Sequence, residues 1–97
     1  MSKVTVDQTP SREDEGRRVI EDGSWITTKN GVPRVDGELT VTRAIGDLDL
    51  KKFIISEPEI TQMTIEEGDD LLVLSSDGLM RVFNHETLTM RLHQLRQ

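Results

Sequence analysis

Leu71-Leu72-Val73-Leu74-Ser75-Ser76-Asp77-Gly78-Leu79-Met80-Arg81-Val82-Phe83 opens with four apolar residues in a row. That is too many for a strand with one wet face, and it suits a strand covered on both sides. Ser75 and Ser76 end the apolar run, and Asp77-Gly78 follows as a turn signal. A carboxylate is thereby delivered at the mouth of a buried strand, on the kind of rigid support where chemistry is often placed. Read alone, an Asp-Gly pair also does no more than close a turn. The rest of the chain has to decide between the two.

Working back from this run, Glu66-Glu67-Gly68-Asp69-Asp70 is an acidic turn leading into it. Phe53-Ile54-Ile55 and Glu59 to Ile65 read as two strands separated by Glu57-Pro58. Asp49 to Lys52 is polar and reads as a loop, while Leu39-Thr40-Val41-Thr42 alternates as a strand should. Asn30-Gly31 is a strong hairpin turn between Trp25–Thr28 and Val32–Val35. Pro33 confines the second of these strands to an edge, and Asp36-Gly37 marks another turn. Further upstream, Thr9-Pro10-Ser11 is a helix-start signature with Asp14 three residues after Ser11. A helix of about ten residues is expected to follow, stopped by Gly23. Only Val19 and Ile20 are clearly apolar in it, so a weakly held, mobile, peripheral element is expected. Val4 and Val6 read as a short strand.

On the other side, Asn84 can cap a final helix. Leu88, Leu92 and Leu95 fall there at i, i+4 and i+7, an apolar stripe suited to facing a sheet. The fold class predicted is α+β, with mostly antiparallel strands and helices near both ends.

The 97 residues bound the chain to one domain or part of one. The hydrophobic fraction is 34%, and Trp25, Phe53 and Phe83 are its aromatics, so the predicted core is aliphatic and thin. Twelve Lys and Arg against 18 Asp and Glu leave a net charge of −6. This balance argues against nucleic acid, whose binding proteins cluster basic residues on the phosphates. Cysteine is absent, which excludes thiol catalysis, disulfides and thiolate zinc sites. No apolar run approaches the ~20 residues that span a bilayer, and Met1-Ser2-Lys3-Val4 opens no signal-peptide pattern. Cytoplasm or nucleus is the expected location, with no membrane partner.

Five motifs in order now resemble one family, the PP2C-type (PPM) metal-dependent serine/threonine protein phosphatases. Val6-Asp7-Gln8-Thr9-Pro10 is similar to the family's Asp-His-x-Pro, with Gln8 in the histidine's place. Arg17-Arg18-Val19-Ile20 with Asp22-Gly23 resembles the segment ending in a Gly-Gly turn. Arg34-Val35-Asp36-Gly37-Glu38-Leu39-Thr40-Val41-Thr42-Arg43-Ala44-Ile45-Gly46-Asp47 is very close to Arg-Val-x-Gly-x-Leu-Ala-Val-Ser-Arg-Ala-x-Gly-Asp. Glu57-Pro58-Glu59-Ile60 and Ser75-Ser76-Asp77-Gly78-Leu79 complete the set. The resemblance covers nearly the whole chain.

The resemblance implies part of a two-sheet sandwich flanked by helices, with residues 1–97 as a partial phosphatase domain and about residues 13–34 as its flap. It implies Mg²⁺ or Mn²⁺ in the complete domain, or none bound by this chain alone. Hard divalent ions take oxygen ligands, and a pair of them acidifies a water and neutralises phosphoryl oxygens. Asp77, with Gly78 beside it, matches a metal-ligand position. Arg43, Asp47 and Arg81 are expected to support the site, and Trp25 and Arg34 belong to the flap and substrate side, Trp25 chiefly as a packing anchor. Arg81 stands where many members carry an aspartate, and a cation there would repel metal.

The remaining carboxylates, Glu13, Asp14, Glu15, Glu66, Glu67, Asp69 and Asp70, read as solvated surface. The family's acidic pair, Asp-Gly-His-Gly turn and later Asp-Asn do not occur here. Two readings follow: a piece of a phosphatase acting on phosphoprotein substrates, inactive alone, or a catalytically dead binding or regulatory relative. The expected partners are the missing half of the domain or a second copy of the chain.

Overall fold

The computed structural model describes residues 2–46 and 48–96, so the expectation placed on Asp47 lies outside the described residues. The chain is α+β. Helix α1 spans Glu13–Glu21, strands β1 (Ile26–Lys29) and β2 (Val32–Val35) form a hairpin, and a 3-10 turn covers Leu48–Leu50. Helices α2 (Asp77–Val82) and α3 (His85–Arg96) follow. The chain divides into two compact units, Thr5–Thr61 and Gln62–Gln97 with Met1–Val4.

In the first unit the hairpin is antiparallel, with Ile26 opposite Val35 and Lys29 opposite Val32. Asn30 and Gly31 both take positive φ, 54° and 78°. That is the turn whose twist matches a right-handed ribbon, and it explains why Asn-Gly sits at the tip. Asp36 and Gly37 form the second expected turn, after which Val35 and Leu39 exchange backbone hydrogen bonds. The core is aliphatic and thin, as expected: Val19, Val35, Leu50 and Ile54, with Ile26, Leu39, Ala44 and Phe53 packed around them.

Helix α1 ends where the sequence says, with Gly23 at φ 101° and its amide donating to Ile20. Its start differs. Arg12, not Thr9 or Ser11, occupies the N-cap, and no side chain caps there. The Thr9 and Ser11 hydroxyls bond each other at 2.9 Å instead. The expectation of a weakly held helix is also overturned. Val19, Gly16 and Glu15 form one buried face, and Gly16 lies so close to the Pro10 carbonyl that a Cβ there would sit 2.6 Å away.

The larger corrections concern strands. The hairpin is the one sheet formed among the described residues. Val4–Val6, Leu39–Thr42, Phe53–Ile55 and Glu59–Ile65 are not strands, although Arg43 and Ile55 keep an isolated parallel bridge. In the second unit, Leu71 to Leu74 forms no strand and is exposed, at 54, 70, 38 and 82%. A strand apolar on both faces needs a layer on each side, and the described residues form no such layers. The Glu66–Asp70 turn is present, closed by the Asp69 amide on the Glu66 carbonyl at 3.0 Å. The Asn84 Oδ1 accepts the Thr87 amide at 2.8 Å and caps α3 as expected. Along the α3 stripe, Leu88 is buried, Leu92 half-buried and Leu95 exposed.

Candidate functional site

Two polar constellations stand out, and each belongs to one unit. The first is built on Glu15. This carboxylate projects from the same helix face as Val19, four residues on, and is only 2% exposed. Arg43 donates to it twice, from Nε to Oε1 at 2.7 Å and from Nη2 to Oε2 at 3.2 Å. Thr42 Oγ1 donates to Oε1 at 2.9 Å, and Arg18 Nη2 stands 3.6 Å from Oε2. A buried charge is tolerated when it is paired and hydrogen-bonded in this way. The Arg43 hydrogen bonds hold the Glu15 carboxyl below its ordinary range, outweighing burial, and the same bonds raise Arg43.

Glu59 extends this network. It accepts from both terminal nitrogens of Arg12 and from Gln8 Nε2 at 3.2 Å. Arg12 also reaches the Val6 carbonyl and Asp14. The Arg12 fork holds the Glu59 carboxyl down to about 2 and drives Arg12 upward. Gln8, in the place of the family's histidine, thus serves as a neutral donor to this carboxylate.

The second constellation is Asp77, Gly78 and Arg81. Asp77 begins α2 instead of closing a turn after a buried strand. Its carboxylate meets Arg81, one helical turn later, at 2.9 Å, and the two side chains are 76 and 78% exposed. No group of three or more His, Cys, Asp or Glu gathers to hold a metal among the described residues. Asp77 with a cation already on it is not a metal site by itself. The donors on the described residues therefore do not fit a divalent ion.

The structure pairs Arg43 with Glu15 and buries Glu15, which was read from sequence as solvated, at the centre of this cluster. Trp25 is 55% exposed, so it is not a packing anchor. Arg34 donates to the Glu38 carbonyl at 2.8 Å and braces the Asp36-Gly37 turn. Glu15, Arg18, Arg12 and Glu59 escaped the sequence reading. One signal was available: Glu15 shares a helix face with Val19, the apolar residue that marks the buried side, and a carboxylate there requires a basic partner.

With this geometry in hand the comparisons are direct. The chain belongs to the protein phosphatase 2C family, whose model, described as Protein phosphatase 2C, matches residues 1–95. It is 45% identical over 86 residues to "Probable protein phosphatase 2C 2" of Arabidopsis thaliana, covering 88% of this chain and 23% of that protein. It is 40% identical over 89 residues to "Protein phosphatase 1K, mitochondrial" of Xenopus laevis, covering 89% of this chain and 24% of that protein. A solved structure, described as that of a C. elegans sex determining protein, superposes with a TM-score of 0.83 at 42% identity. It covers 89% of this chain and 21% of its own. The chain spans about a quarter of the length of the relatives it matches.

Proposed function

We propose that this chain is the later portion of a PP2C-type protein phosphatase domain. The complete domain hydrolyses phosphoserine and phosphothreonine monoesters on protein substrates and depends on Mg²⁺ or Mn²⁺. The chain alone is inactive, and the rest of the domain is its obligate partner. What supports this reading is the family match over residues 1–95, with the motifs in family order from Val6 to Leu79. The exposed Leu71, Leu72 and Leu74 favour a partner that covers them. A second copy of the chain is the other occupant, and light scattering separates the two, since a stable dimer of the isolated chain selects self-association. Cytoplasm or nucleus is the proposed location.

One observation favours a second reading, a catalytically dead regulatory relative: the Arg81 guanidinium sits on the carboxylate that matches a metal ligand. A chimera decides between them. The matching 86 residues of the Arabidopsis relative are replaced by those of this chain, and Mn²⁺-dependent hydrolysis of a phosphothreonine peptide is compared with the unreplaced protein. Activity within about tenfold of the parent, lost on Asp77→Asn, supports the phosphatase reading. Negligible activity that Arg81→Asp restores supports the regulatory one.

A further inference from the structure

The segment read as the flap, residues 13–34, divides into two parts that are held very differently. Its helix is tied down at several points through charge. Glu15 takes the Thr42 hydroxyl and two Arg43 nitrogens. Arg43 Nη1 goes on to the Glu57 carbonyl at 3.1 Å. Arg18, on the same helix, donates to the Thr42 carbonyl at 3.1 Å and the Phe53 carbonyl at 3.0 Å. One buried carboxylate and its two arginines thus join α1 to residues 42, 53 and 57. Among the described residues the hairpin shows no comparable ionic tie; its base is held by Val35 and Ile26 in the core, and it carries the exposed Trp25 at its base and Lys29 near its tip.

We propose that Glu15 is a positioning residue that acts through Arg43, locking α1 to the Thr42–Ala44 segment as one rigid piece, so that movement within residues 13–34 is left to the outer part of the β1–β2 hairpin, beyond the core residues Ile26 and Val35. The assignment of these residues to a flap rests on the phosphatase reading; the lock itself does not. Two facts carry it. The Glu15 contacts span 27 and 28 residues of sequence, so they are tertiary and not part of helix propensity. And the guanidinium fork of Arg43 leaves Glu15 no freedom to rotate without losing both bonds.

The test is amide hydrogen exchange on the whole chain, corrected for intrinsic rates, with three reporters. These are the α1 amides, the Ala44 amide, which donates to the Ile55 carbonyl at 3.0 Å, and the hairpin amides. Glu15→Gln keeps the shape and removes the charge. It is expected to speed exchange in α1 and at Ala44 together, by about tenfold or more, because a half-buried guanidinium is left without its charged partner. The hairpin amides should change much less. Arg43→Gln should give the same pattern, and the double variant should add little to either single change.

A pH series supplies a readout that simple loss of packing does not move. Arg43 and Arg18 are the cations facing Glu15, Thr42 is its neutral donor, and Arg12 and Glu59 act on Arg43. With Arg43 in place, the lock's contribution to the joint protection of α1 and Ala44 should decline as pH falls from the ordinary carboxylate value through the depressed value of folded Glu15. In Arg43→Gln the Glu15 carboxyl is less depressed because burial is less opposed, so that acid-dependent fall should be smaller. If Glu15→Gln fails to fold, Arg43→Lys decides the matter. It keeps the charge but not the fork, and should loosen α1 and Ala44 in parallel. The proposal is overturned if α1 loosens while Ala44 does not. It is equally overturned if the single effects multiply, or if the hairpin loosens as much as the helix.

Discussion

Arg12 and Glu59, separated by 47 residues in sequence, meet through both terminal guanidinium nitrogens and both carboxylate oxygens. This clasp closes the chain that enters α1 onto the segment that follows Glu57-Pro58. Its geometry is the bidentate fork that makes arginine–carboxylate pairs specific. The consequence for Glu59 is a carboxyl held down to about 2 from its ordinary 4.5.

The pH dependence follows with a definite sign. A carboxyl depressed in the folded state contributes stability that is fully present above its unfolded value and lost as pH falls through its folded value. For Glu59 that window runs from 4.5 down to about 2. The melting temperature of the wild-type chain is therefore expected to fall across this window more steeply than that of Glu59→Gln. The two should run parallel between pH 6 and 8. Thermal melts of both proteins at half-unit pH steps check this, and equal slopes below 4.5 would remove the clasp from the account of stability. Both partners are accessible to solvent, so high salt should shrink the difference.

Gly16→Ala is a case where helix propensity and packing oppose each other. In an exposed helix the change would gain about 1 kcal/mol. Here the added Cβ meets the Pro10 carbonyl oxygen at 2.6 Å, with Ile26 Cδ1 at 3.4 Å behind it. Backbone atoms cannot swing aside as a side chain does, and overpacking of this kind costs about 1–3 kcal/mol. The clash is expected to win, with a net loss near 1 kcal/mol read from the urea midpoint. Arg17→Ala, one position on and facing solvent, should stay within about 0.5 kcal/mol.

What could be read from sequence was whatever depended on neighbours close in the chain. Asn30-Gly31, Asp36-Gly37, Gly23 and Asn84 each act on backbone within a few residues, and each appears where expected. Strands were harder to read, because a strand exists only when another pairs with it. Leu71–Leu74 and Phe53–Ile55 carry the pattern of strands without neighbours among the described residues to form the ladder. The site divides in the same way. That Arg43 lies in a motif was legible, whereas its partner was not. The burial of Glu15 was not, because the Thr42 and Arg43 contacts that make it tolerable come from 27 and 28 residues away. The exposure of Trp25 likewise depends on which surfaces lie over the hairpin, and local pattern carries no information about that.

At the hairpin tip the penalty for a side chain is conformational instead of steric. Gly31 has φ 78° and nothing within 4 Å of where a Cβ would lie. Gly31→Ala is therefore expected to destabilise the hairpin by about 1–2 kcal/mol, the cost of a left-handed backbone for a residue with a Cβ. Asn30, at φ 54°, already tolerates that region, so Asn30→Gly should change stability by no more than a few tenths. Exchange rates of the β1 and β2 amides measure both. A loss for Gly31→Ala no larger than that for Asn30→Gly would show that the turn relaxes to another type.

Ile54 is the residue whose truncation the first unit is least able to absorb. It is fully buried and sits with Val19, Val35 and Leu50, the buried core of this unit among the described residues, and its amide donates to the Leu50 carbonyl at 2.8 Å. Reducing isoleucine to alanine in a core removes contacts and leaves a cavity, at about 2–5 kcal/mol. A chain of this size has a total stability of only about 5–15 kcal/mol, and a core this small has few neighbours that could move in to fill the space. Ile54→Ala is expected to lower the urea midpoint sharply and to abolish slow-exchanging amides in Thr5–Thr61. Ile20→Ala removes the same atoms from a side chain that is 58% exposed and should cost less than about 1 kcal/mol. If the two variants proved equally stable, Ile54 would not be packed in solution as it is here, and its place in the core with Val19, Val35 and Leu50 would have to be redrawn.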